Sequence, residues 1–131
     1  MPAVTSLITA LLLLHVILLS AFVSYRRITL RISIGDGDNR DMMRAIRAHG
    51  NALEHAVPFL LLFLLLEGMT SSPETAEWLR WIGGGFVAAR VLHSLGVINR
   101  LHRVRQIGAT VSLLIELGLA IWLLEIGLGC C

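Results

Sequence analysis

Four long apolar runs dominate the chain, at residues 4–25, 45–67, 78–98 and 107–128, and short polar stretches separate them. A helix needs about 20 apolar residues to cross the hydrocarbon core of a bilayer, and each run meets that length. The pattern therefore predicts an all-α integral membrane protein, a bundle of four transmembrane helices. The connections leave no room for a second domain, so residues 1–131 read as a single membrane domain. Composition agrees. Hydrophobic residues make up 56% of the chain and charged residues 15%, with a mean hydropathy of +0.77, whereas a soluble domain of this length needs more polar surface.

Arginine placement predicts the orientation. Arg26, Arg27, Arg31, Arg40 and Arg44 lie between the first two runs, Arg100, Arg103 and Arg105 lie between the last two, and the middle connection offers only Arg80. Basic residues collect in cytoplasmic loops, so both arginine-rich connections are expected inside, with both termini and the 68–77 loop outside. Tyr25, Trp78, Trp81 and Trp122 then fall at the two interfaces as aromatic anchors. The first run lacks a basic leader, is longer than a secretion signal's hydrophobic core and runs directly into Tyr25-Arg26-Arg27, so it reads as a retained helix. Arginine supplies all 11 basic side chains, which suits bidentate recognition of carboxylate or phosphate and excludes a lysine Schiff base. Cys130 and Cys131 have no histidine at ligand spacing and cannot make a disulfide framework, so they read as dispensable.

The second run breaks its own apolar pattern with Arg47, Asn51, Glu54 and His55. Arg47, Asn51 and Glu54 are spaced i, i+4, i+7, so a cation, an amide and a carboxylate share one helix face over roughly 10 Å. Helix three runs antiparallel to helix two, which brings Arg90 and His93 level with Glu54 and Asn51. Arg27 closes helix one and Arg105 opens helix four at the same end. All four helices thus contribute to one polar layer in the cytoplasmic third, and ionisable groups at such depth are costly and usually functional.

Each member also has a plainer reading. Glu54 and Arg90 pair across the helices in one alternative, and Arg27 and Arg105 are ordinary snorkelling anchors in another. His49 and His93, and more so His15 and His102, fit satisfied core imidazoles. No metal site is expected, since His49 and His55 are six residues apart and point to different faces. Glu116, near mid-membrane, is either a partner for an arginine of a neighbouring helix or part of a ligand cavity, whereas Glu125 reaches the outer interface. Pro58 is expected to kink helix two and free the Glu54 carbonyl. The 35–39 run reads as a turn and fails the EF-hand pattern.

The stretch Arg44-Ala45-Ile46-Arg47-Ala48-His49-Gly50-Asn51-Ala52-Leu53-Glu54-His55-Ala56-Val57-Pro58-Phe59 resembles the helix-two signature of the membrane-associated proteins in eicosanoid and glutathione metabolism, the MAPEG superfamily. Tyr25-Arg26-Arg27, Arg90-Val91-Leu92-His93 and Arg105 extend the resemblance over nearly the whole chain, and the short length is most similar to small bacterial members. The resemblance implies a homotrimer in the bacterial inner membrane, with sites between subunits that open to the cytoplasm and bind reduced glutathione as co-substrate. By position, Arg47, Asn51 and Glu54 are expected to hold its polar ends, with Arg27, His49, His55, Arg90 and His93 around them and Arg105 stabilising the thiolate.

The implied activity is conjugation of glutathione to hydrophobic electrophiles, or reduction of lipid hydroperoxides with it, a detoxification chemistry. Expected partners are further copies of the chain, membrane lipids and a hydrophobic small-molecule substrate, with no nucleic acid. Val97 stands where several members carry a tyrosine, Gln106 replaces the small hydroxyl residue of some prostaglandin synthases, and a one-residue shift would put Arg103 in place of Arg105. Two other classes fit the length. A non-catalytic lipid- or glutathione-binding protein keeps the same fold. A small multidrug transporter is expected to carry an acid in helix one, where this chain has none, and little of the charge bias seen here.

Overall fold

The computed structural model describes residues 3–70 and 72–129, so Cys130 and Cys131 lie outside the described residues. It contains four helices, α1 Ala3–Leu30, α2 Arg40–Met69, α3 Pro73–Ile98 and α4 His102–Gly127, each long and apolar enough to cross a membrane. All four exceed the apolar runs that announce them, because polar turns extend them past the hydrocarbon. The Asn39 side chain accepts from the backbone N–H groups of Asp41 and Met42 and starts α2 five residues before its apolar run. Ser72 does the same for α3 through Thr75 N–H, with Pro73 in the first turn. The α2 helix is continuous through Pro58.

Helices α2 and α3 form the centre. Among the described residues α1 packs on α2 and α3, α4 packs on α3 and α2, and α1 and α4 do not meet. The half nearer the α2–α3 connection is apolar: Val4, Ile8, Leu12, Phe59, Phe63, Leu66, Leu79, Phe86 and Leu119 form its core. Within it the Phe59 and Phe86 rings stack with centroids 3.7 Å apart and planes 4° from parallel. A carboxylate closes this end, since Glu67 of α2 accepts from the N–H groups of Val4 (3.0 Å) and Thr5 (2.6 Å) and caps α1.

The close approach of α3 and α4 depends on glycine. A Cβ on Gly108 would lie 2.6 Å from both Ala89 O and His93 N, and a Cβ on Gly96 would collide with the backbone of Arg105. Small residues at such contacts are the usual means by which membrane helices gain packing area, because lipid gives apolar side chains no reason to leave it. Large apolar residues accordingly cover the outside, among them Leu18 at 68% and Leu114 at 62% exposure.

Candidate functional site

The other half of the bundle carries the chemistry. The α1–α2 and α3–α4 connections meet at this end, where Asp41 binds three guanidinium groups: Arg44 at 2.6 Å, Arg100 at 2.9 Å and Arg26 at 3.5 Å. Arg27, expected in the site, instead donates to the carbonyl of Gly35 at 3.0 Å and fastens the connecting loop. Gly35 and Gly37 have φ of +66° and +57°, which explains glycine at both turn positions.

Next to this cluster α2, α3 and α4 enclose an open groove of about 610 Å³. From α2 it takes Met43, Arg44, Arg47 and Asn51, and from α3 and the turn after it His93, Gly96, Val97 and Arg100. From α4 it takes His102, Arg105, Gln106 and Ala109. Of the expected site residues, Arg47, Asn51, His93 and Arg105 line it. His102, expected as a core imidazole, is exposed in the groove wall, where its Nδ1 accepts from Arg105 Nη2 at 3.2 Å. Arg44, Arg100 and Met43 were missed by a reading that looked only for polar breaks inside apolar runs. The spacing of Arg44 and Met43, three and four residues before Arg47 on α2, was the available signal for those two, whereas Arg100 lies in the turn after α3 with φ of +63° and gave none.

Arg90 holds the groove wall from behind. It is 1% exposed, and its Nη2 donates to Asn51 Oδ1 at 2.6 Å and to Asn51 O at 3.4 Å, while Nη1 donates to Ser112 Oγ at 3.3 Å. The expected alternative of a Glu54–Arg90 ion pair is therefore corrected. The guanidinium is taken by an amide of α2 and a hydroxyl of α4, and Glu54 sits exposed at the groove edge, 3.5 Å from Asn51 Nδ2, which donates to it. His93 is buried and its Nδ1 donates to the carbonyl of Arg105 at 3.2 Å. His49 is half-buried away from the groove lining. His15 fits the core-imidazole reading, with Ser94 Oγ 3.1 Å from its Nε2.

One turn deeper, His55 and Glu116 pair across α2 and α4, with Nδ1 2.8 Å from Oε2. Glu116 thus has a partner on a neighbouring helix, but a histidine where an arginine was expected. Glu125 is exposed. Among the described residues no group of histidine, cysteine or carboxylate side chains has metal-site geometry.

Four membrane-length helices, a glycine-packed α3–α4 pair and an arginine-lined groove at one end define a four-span membrane protein with a polar site at the edge of its bundle. Residues 5–124 match the model of the MAPEG family, and the chain belongs to that family. It is similar to the inner membrane protein YecN of Escherichia coli strain K12 and to that of Escherichia coli O6:H1 strain CFT073. Each is 34% identical over 87 residues, covering 66% of this chain and 63% of the relative. The match therefore spans a little under two thirds of these relatives' own length.

Proposed function

We propose that this protein is a membrane-bound, glutathione transferase-like enzyme that joins the glutathione thiolate to a hydrophobic electrophile, or uses it to reduce a lipid hydroperoxide. One observation carries the reading: the groove presents Arg47 and Arg105 with no carboxylate paired to either among the described residues, beside Arg44 and Arg100 that Asp41 holds, while Glu54 waits at its edge one turn beyond Asn51. Glutathione brings two carboxylates for the arginines and one ammonium for Glu54. A guanidinium beside a thiol favours the thiolate, which is the nucleophile conjugation requires, and Arg105 is the arginine for that role. Family membership supports the assignment. The volume lies within the range of small-molecule sites.

In this reading the protein acts as a homotrimer in the inner membrane, with the groove toward the cytoplasm. The relatives' name and the arginine bias of the two connections at the groove end favour that placement. Arg27 and His49, which turn away from the groove within one protomer, belong to a site completed by a neighbouring copy. Val97 favours a second reading, a binder that turns nothing over, because the groove wall has an apolar side chain where a hydroxyl would contact the thiol.

Calorimetric titration of glutathione into the detergent-solubilised protein tests the proposal, with thiolate absorbance followed in parallel. The expected result is saturable binding that weakens in Glu54→Gln, and a thiolate signal lost in Arg105→Ala. A folded protein that binds no glutathione refutes it, and binding without turnover of any electrophile selects the second reading.

A further inference from the structure

The half-buried pair one turn beyond the groove has the construction of an acid–base device. His55 and Glu116 are 21% and 14% exposed, and Oε2 of the carboxylate lies 2.8 Å from Nδ1 of the ring. An ionised carboxylate only accepts, so Nδ1 carries the hydrogen and donates it, and Nε2 is left with its lone pair. Among the described residues no hydrogen bond reaches that nitrogen, and it is not among the buried unpartnered atoms, so it is open to a ligand or to water.

A buried cation of α3 acts on Glu116. Arg90 is a buried cation with no carboxylate in ion-pair contact among the described residues, and Glu116 lies within its electrostatic reach. Arg90 Nη1 bonds Ser112, one helical turn from Glu116 on α4, and both Arg90 Nε and Glu116 Oε1 are buried without a partner. The carboxylate thus has one oxygen on the imidazole and the other buried without a partner, within the electrostatic reach of the guanidinium.

We propose that His55 is the general base of the conjugation and that Glu116 is its positioning residue, an assignment that rests on the glutathione reading above. His55 follows groove-lining Asn51 by four residues, about 6 Å along α2, one turn deeper than the groove lining itself. The thiol S–H bond breaks and its proton passes through one groove water to Nε2, leaving an imidazolium paired with the Glu116 carboxylate. The sulfur electron pair then forms the bond to the electrophilic carbon, whose leaving group departs with its own bonding pair. The imidazolium returns its proton to water. Arg105 stabilises the sulfur anion but, always protonated, cannot accept this proton.

The charged and titratable groups of this layer are Glu116 from α4, Arg90 and His93 from α3, and Glu54 beside His55 on α2; α1 brings His15, held at Ser94. The test is calorimetry of glutathione binding in buffers of different ionisation enthalpy, which counts protons released, together with the pH profile of kcat/KM for 1-chloro-2,4-dinitrobenzene. In the wild type the thiolate is expected to form with no proton released to buffer. His55→Gln is expected to release about one proton per glutathione or to lose the thiolate, and its kcat/KM to fall about 10²- to 10⁴-fold. Glu116→Gln, which keeps a hydrogen-bonding group at the position, is expected to lower kcat/KM in the same direction. A wild type that releases about one proton, or a His55→Gln protein with an unchanged profile, overturns the base while leaving the glutathione site standing. Absence of wild-type binding overturns both.

Discussion

Substituting Gly108 by alanine adds one methyl group at the tightest point of the α3–α4 contact. Its Cβ would stand 2.6 Å from Ala89 O and His93 N and 2.9 Å from His93 Cα, where ordinary contact begins at 3.4 Å. The obstructing atoms are all backbone, so no rotamer relieves them, and α4 must retreat from α3 by about 0.8 Å. That retreat acts on the His93 Nδ1 to Arg105 O hydrogen bond, already 3.2 Å long, and stretches it past useful length. Overpacking of this kind costs about 1–3 kcal/mol. Gly118, on the same helix, has nothing within 4 Å of its would-be Cβ, so alanine there is expected to be neutral or to stabilise by up to about 1 kcal/mol. Thermal unfolding of both variants in detergent separates the two effects, and the Gly108 variant should also widen the groove and weaken its ligand. Equal stability of the two variants would refute the packing argument, since the substitution and the helix are the same.

Further outcomes follow from other contacts. Glu67→Ala removes the carboxylate that caps α1 and should cost about 0.5–2 kcal/mol, with faster hydrogen exchange confined to the amides of Val4 and Thr5 and their neighbours. Arg90→Met fills similar volume but orphans Asn51 Oδ1 in the groove wall, so stability should fall by about 1–3 kcal/mol, read by chemical denaturation. Glutathione binding should weaken with it.

The helices were legible because hydrocarbon imposes a length and a composition that few other environments do. Their polar ends were less so: Asn39 and Ser72-Pro73 are ordinary start signals, yet a reading by hydropathy stops where the apolar residues stop. In the site, the face shared by Arg47 and Asn51 and the depth match of Asn51 with Arg90 followed from helix geometry alone. The choice of partner did not. Arg90 could be placed beside Glu54 or Asn51, and Glu116 beside an arginine or His55, because rotation of each helix about its axis decides between them, and that is set by glycine contacts such as Gly108 on Ala89.

Among the described residues the backbones of α1 and α4 do not approach each other, so the molecule divides into two hairpins, α1–α2 and α3–α4. Hairpins are natural units of insertion, and two of them, once in lipid, must still find each other in the right vertical register. Apolar surface gives weak guidance there, since a leucine is as content against lipid as against a helix. The polar bonds between the hairpins supply it instead: His15 to Ser94, Asn51 to Arg90, His55 to Glu116 and Asp41 to Arg100 are spread along the bundle. A slip of one turn would break all four together and strand Arg90 among aliphatic side chains. The residues assigned to glutathione chemistry thus also act as an assembly ruler, so a variant that abolishes activity should be checked for mis-registered hairpins before its loss is ascribed to catalysis.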